Sequence, residues 1–175
     1  MDSNQNYKST PQGSQLDPYP IMRFVKKRKR GKPNSLSKRA VIVDLDGTLA
    51  HKCNRDIYDL SRVIEDSVDR EVSDIMGGLS LAGYVIIVLS GRSNLSRIET
   101  TKWLSIKTKF RYEVLHMREN FDNRSDEIVK KEIYEKRIKP FYNIKLVIDD
   151  RPKVCRMWRE IGLKTLQCGD PHVEF

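Results

Sequence analysis

From Ala40 onward, short strand-like runs, mostly apolar, alternate with segments whose apolar residues recur at helical spacing, and this restricts the fold more than any other feature. The runs cover 40–45, 84–89, 112–115, 144–148 and 163–166. Between them, Val63, Ile64, Val68, Val72, Ile75, Met76 and Leu79 form a helical stripe closed by Gly83. Residues 95–106 and 125–139 also read as helices, the second ended by Pro140. Val154, Met157, Trp158 and Ile161 form a last stripe before Gly162. Strands that are apolar on both faces belong in a parallel sheet, and the intervening helices must cover it on both sides. The expected fold class is α/β, a three-layer, Rossmann-like parallel sheet. Such sheets carry their sites at the carboxyl ends of the strands, which directs attention to Asp44, Ser90 and Asp149.

A chain of 175 residues suits one domain and a tail. Its net charge of +9 is unevenly spread. Ten of the 33 Lys and Arg and two of the 24 Asp and Glu fall in 1–39, a net of +8, which leaves +1 for 40–175. Residues 1–20 are rich in Ser, Asn, Gln and Pro, and Lys26-Lys27-Arg28-Lys29-Arg30 follows. We expect a flexible basic N-terminal arm over 1–39, with Ile21, Met22, Phe24 and Val25 able to dock, and a folded domain over 40–175. The arm suits sequence-independent contacts to nucleic-acid phosphates; a nuclear-localisation patch or a solubilising tail would use the same residues. No run approaches the roughly 20 apolar residues of a membrane span. Residues 1–20 lack the apolar centre of a signal peptide, so the expected location is the cytoplasm, a host cell's if the chain is viral.

Cys53, Cys155 and Cys168 form no CxxC pair and lack histidines at ligand spacing, which reads as free thiols and argues against zinc. His51, His116 and His172 suggest no ligand set, and Trp103, Met157 and Trp158 read as core.

The first strand ends in Asp44-Leu45-Asp46-Gly47-Thr48. Two carboxylates two residues apart point the same way on a strand, and Gly47 lets the chain turn sharply. One can attack phosphorus while the other protonates a leaving oxygen and then activates water. An acidic loop at a strand end has the same residues, but the buried strand before the pair and the Gly-Thr after it favour the chemical reading. The second strand ends in Leu89-Ser90-Gly91-Arg92. A hydroxyl, open backbone and a planar cation suit phosphoryl oxygens, yet alone this is an ordinary strand-to-helix turn capped by Ser93 or Asn94. Asp126 and Lys130 share a helix face, as a surface ion pair would, and the adjacent Lys131 is not excluded by pattern. The fourth strand ends in Asp149-Asp150-Arg151-Pro152. Alone this is a solvated helix start, but four acids at one sheet mouth call for a cation, and magnesium fits such oxygen donors.

Together the segments DLDGT, LSGR, the lysine helix and IDDR resemble the haloacid dehalogenase superfamily of aspartate-nucleophile phosphatases. The likeness is greatest to the 3′-phosphatase domain of the phage (bacteriophage) polynucleotide kinase/phosphatase family, over most of 40–175. It is carried by AVIVDLDGTLA, Arg55, Tyr58-Asp59, IIVLSGR, Arg124, DEIVKKEI and IKLVIDDRPKVCRMWREIGL. The resemblance implies that Asp44 is the phosphoaspartyl nucleophile and Asp46 the general acid/base. It implies a Mg²⁺ held by Asp44, the Asp46 carbonyl and Asp149 with Asp150, one of them through water. Ser90 and Lys130 would bind the transferring phosphoryl group. Arg55, Arg92 and Asp126 would complete the site on the substrate side with Thr48 and Gly91, the arginines facing nucleic-acid phosphate. The implied reaction frees a 3′-hydroxyl from a 3′-phosphate end of DNA or RNA during nucleic acid repair, and some family members also open 2′,3′-cyclic phosphates.

No G-x-x-x-x-G-K-[ST] loop occurs, so a kinase or ligase partner would have to be separate. The insertion after the first motif allows only a minimal cap, which leaves the site open enough for a polymer end. Two rivals share these residues: a phosphatase for mononucleotides or other small esters, and a non-catalytic nucleic-acid-binding module. The presence of both Asp44 and Asp46 speaks against the second.

Overall fold

The computed structural model describes residues 38–56 and 59–172; the basic arm over 1–37, Tyr58 and the last three residues lie outside it. Five strands form one parallel sheet: β1 (Lys38–Val43), β4 (Val85–Ser93), β5 (Val114–Arg118), β6 (Tyr142–Asp149) and β7 (Thr165–Gln167). Their order is β5-β4-β1-β6-β7, which makes β1 the centre. A separate antiparallel pair, β2 (Ala50–His51) and β3 (Ser67–Val68), forms the minimal cap with a 3-10 turn over Leu60–Glu65.

Period-two alternation sorts the central residues between two cores. Val41, Val43, Ile86, Val88, Leu115 and Met117 face α1 (Arg70–Leu81) and α2 (Arg97–Lys107), where Met76, Trp103 and Leu104 are buried. Ala40, Ile42, Ile87, Leu89 and Val147 face α3 (Asp126–Ile133) and α4 (Pro152–Glu160), meeting Val129, Ile133, Val154 and Trp158. The three-layer expectation holds. Trp158 is fully buried and meets Tyr134 edge-on at 5.7 Å between ring centres. Truncating such a side chain to alanine costs about 3–5 kcal/mol. Among the described residues no helix is long and apolar enough to cross a membrane.

Several boundaries differ from expectation. β1 takes in Lys38 and Arg39, which the sequence division assigned to the arm. The stripe from Val63 to Leu79 is not one helix: the 3-10 turn, Asp66 and β3 precede α1. Asp69 causes the restart, since its side chain accepts from the Val72 amide at 2.9 Å as an N-cap. Helix 125–139 is also two pieces, α3 and a π segment over Tyr134–Ile138. β4 runs past Leu89 to Ser93, with a register shift against β5 between Ser90 and Ser93.

Register explains why the motifs converge. Val43 pairs with Val88 on one side and with Ile148 on the other, so the next residues, Asp44, Leu89 and Asp149, arrive side by side. The Asp44 amide donates to the Ile148 carbonyl at 2.9 Å, which seals that alignment.

Candidate active site

Asp44, Asp149 and Asp150 each offer a carboxylate oxygen, and the three oxygens lie within 4.8 Å of one another. All three residues are buried. Lys130 reaches them from α3: Nζ donates to Asp44 Oδ1 at 2.6 Å and to Asp149 Oδ2 at 2.9 Å, with Asp126 Oδ2 3.7 Å away. Helical pattern alone left Lys130 and Lys131 unresolved, while the resemblance named Lys130. Burial of Lys130 and exposure of Lys131 resolve it in favour of Lys130.

Burial pushes the Asp44 carboxyl well above its ordinary range, and Lys130 only partly offsets this because Asp149 and Asp150 add like charge. Burial also raises Asp150, with Asp149 adding to it. For Lys130 burial works against the ammonium, but Asp149, Asp44 and Asp126 outweigh it and hold the lysine charged. Three hard oxygen donors around one lysine are a donor set that fits a divalent cation. Gly47 makes the packing possible: at φ +85 a Cβ there would stand 2.1 Å from Asp150 Oδ2.

The second carboxylate of the first motif meets a different setting. Asp46 has a side chain 45% exposed and is gripped by Arg92, Nη2 to Oδ1 at 2.6 Å and Nε to Oδ2 at 2.8 Å. The Ser90 hydroxyl donates to Asp46 Oδ2 at 3.4 Å and accepts from the Arg92 amide at 3.1 Å. Arg92 Nη1 is buried and makes no hydrogen bond among the described residues.

Two expected substrate residues serve the site differently. Thr48 is buried and its hydroxyl donates to Asp150 Oδ1 at 3.1 Å, so it positions the acidic cluster. Gly91 supplies space, because a Cβ there would lie 2.3 Å from Asp126 Oδ1. Arg55, expected to face substrate, spends its donors internally: Nε and Nη2 bond Asp66 at 2.8 and 2.7 Å, and Nη1 reaches the carbonyl oxygens of Asp56 and Asp59.

Asp66 is the residue that sequence reasoning missed. It is fully buried, and its Oδ2 accepts from both Arg55 and Arg92, the latter at 2.9 Å. Burial acts to raise its carboxyl, but the hydrogen bonds from Arg55 and the charges of both arginines hold it below the usual range. It ties the cap to β4. Its one sequence signal is an acid inside an apolar stripe. Arg118 was missed as well. At the end of β5 it donates to the Gly91 carbonyl at 2.9 Å and to Asp126 Oδ1 at 2.8 Å, while Arg151 reaches Asp126 Oδ2 at 3.2 Å.

Residues 38–172 match the family described as the polynucleotide kinase PNKP phosphatase domain. The chain belongs to that family. It is a phosphatase domain of the haloacid dehalogenase type. A protein of Autographa californica nuclear polyhedrosis virus, assigned as a bifunctional polynucleotide kinase/RNA ligase, is 36% identical over 141 residues, 78% of this chain and 20% of that one. A chain of the Pnkp1/Rnl/Hen1 complex is 34% identical with TM-score 0.73, covering 93% of this chain and 58% of that one. A chain of the Pnkp1/Rnl/Hen1 RNA repair complex matches at 34% and 0.75, over 90% and 51%. Class C acid phosphatase from Bacillus anthracis, 16% identical with TM-score 0.56 over 79% of this chain and 69% of its own, shares the fold. The chain thus spans a fifth of the curated relative and little more than half of the two repair-complex chains.

Proposed function

We propose that this chain is a magnesium-dependent polynucleotide 3′-phosphatase that works through a phosphoaspartate on Asp44. The observation that carries the reading is the placement of Lys130 between Asp44 and Asp149, with Asp46 two residues on and half-exposed.

Lys130 holds Asp44 Oδ1, which orients the other carboxylate oxygen toward phosphorus and offsets repulsion between two anions. The Asp44 O–P bond forms as the bond from phosphorus to the 3′ oxygen breaks, and that oxygen takes a proton from Asp46. Asp46 then removes a proton from water, whose oxygen attacks phosphorus and frees Asp44 and inorganic phosphate. In the resting arrangement Arg92 Nε reaches both Asp46 carboxylate oxygens. A substrate phosphate competing for Arg92 loosens that clamp and frees Asp46 to turn toward the leaving oxygen. The Ser90 hydroxyl and the Arg92 nitrogens that now hold Asp46 are then the donors for non-bridging oxygens.

Asp44, Asp149 and Asp150 would hold the magnesium, with the Asp46 carbonyl completing the set; when bound, the ion supplies positive charge against the phosphate. Arg55 acts through Asp66 on Arg92. The basic arm adds phosphate contacts that weaken with salt. Family membership and the repair assemblies of the relatives support a nucleic-acid end as substrate, with kinase and ligase functions supplied by other domains or proteins.

The test compares phosphate release from a 3′-phosphorylated oligonucleotide, its 5′ isomer and nucleoside monophosphates, with and without magnesium. The 3′ oligonucleotide should turn over fastest and require the ion. Equal rates on mononucleotides would overturn the polynucleotide assignment.

A further inference from the structure

Phe121 has the least comfortable backbone among the described non-glycine residues: its φ is +63, the only positive value. It occupies the third position of the turn Glu119–Asp122, closed by the Asp122 amide donating to the Glu119 carbonyl at 3.3 Å. A positive φ at that position favours Gly or Asn, and a bulky aromatic there is strained. The residue is also 88% exposed, so it repays nothing by burial. Strain kept without packing needs a surrounding frame that fixes it, and such residues cluster at ligand contacts.

That frame is present. Arg118 Nη1 donates to the Asp122 and Arg124 carbonyls on the far side of the turn, and its other nitrogens bind the Gly91 carbonyl and Asp126. The Ser93 hydroxyl donates to Asn120 Oδ1 at 3.2 Å, and Arg124 caps the loop through Asp122. The turn is therefore pinned to Ser90-Gly91-Arg92 and to the helix start that carries Asp126 and Lys130. It leaves β5 at the carboxyl edge of the sheet, the edge that carries Asp44, Ser90 and Asp149. A rigidly held, solvent-facing aromatic at the edge of a phosphate site has the properties of a stacking platform for a nucleobase.

The geometry points to Phe121 as the residue that stacks on the base of the nucleotide bearing the 3′-phosphate, so that the enzyme recognises a nucleoside phosphate end rather than phosphate alone. This rests on the proposed 3′-phosphatase reaction. A flat π-face accepts every base, which gives preference for a based end without sequence preference. A protein partner is the competing occupant. The turn follows β5 and is tied through Arg118 to Gly91, between the Ser90 and Arg92 assigned to the phosphate, and that neighbourhood favours a nucleotide.

The experiment measures KM for two 3′-phosphorylated oligonucleotides, one with an intact terminal nucleotide and one whose terminal sugar lacks its base. The unaltered protein should prefer the based end roughly ten-fold, which Phe121→Ala should reduce to near unity and Phe121→Trp should retain. Phe121→Gly should lose the preference while its Tm stays equal or rises, because glycine relieves the positive φ. No preference in the unaltered protein, or an unchanged preference in Phe121→Ala, overturns the assignment. Self-association that disappears in Phe121→Ala, with the KM ratio unchanged, would assign the ring to a protein contact and also overturn it. Absence of turnover on both oligonucleotides in the unaltered protein would instead remove the 3′-phosphatase reading itself.

Discussion

Asp44 and Asp46 stand two residues apart and meet opposite environments. Asp44 is sealed under the sheet edge with Lys130 and two further acids, and burial opposes its charge. Asp46 sits at the surface in the grip of an arginine that is itself anchored to the buried Asp66. Leu45 between them is fully buried and pins the turn, so the short segment crosses from interior to solvent in one step. The division suits the proposed roles. An attacking group needs fixed geometry and few waters, whereas a proton donor and acceptor needs access to solvent and a clamp that can open.

The largest expected effect lies on activity. Asp44→Asn should lower kcat by about 10⁴-fold or more, and Asp46→Asn by about 10²–10⁴-fold with little change in Tm, because its carboxylate is half in water. A strong loss of Tm in Asp46→Asn would erase the contrast between the two positions. Next comes Lys130→Met, which strands buried carboxylates and should cost about 3–5 kcal/mol of stability by denaturant titration. A stable Lys130→Met protein would mean that the buried side is held by something other than this lysine.

The smallest effect tests the sheet beneath the lysine helix. Burial, then the charges of Arg137 and Arg97, push the His116 imidazole down to about 4. Because the folded value lies below the ordinary 6.5, the unfolded chain binds the extra proton between those limits. Stability is complete above about pH 6.5 and should fall by roughly 3 kcal/mol as pH drops toward 4. Unfolding curves of His116→Gln should flatten across that window; an unchanged slope would remove His116 as the cause.

Much of the Asp44 side was legible in the sequence because its parts are local: an apolar run, then an acid. Asp44, Asp149 and the choice of the α3 helix follow from that rule, and sheet register does the rest. Helical spacing alone could not separate Lys130 from Lys131, and packing buries the first and exposes the second. The arginine side was less readable. Asp66 joins Arg55 and Arg92 across 11 and 26 residues, and its place in an apolar stripe made a helix the simpler reading. Arg55 drew its expected role from its motif, while its distant partner determines where its donors go. Phe121 carries no sequence sign of its backbone angle, which is imposed by the loop that Arg118 closes.

Asp149 differs from its neighbour in one further respect. Its Oδ2 accepts from Lys130 and from the Trp158 indole at 3.3 Å, and its Oδ1 faces the Arg151 amide at 3.3 Å. Donors rooted in α3 and α4 therefore set this carboxylate like a fixed jaw, whereas among the described residues Asp150 receives a side-chain bond from Thr48 alone. A cation held by this cluster would come and go without rebuilding its seat, and any retuning of ion preference would begin at the looser jaw, Asp150.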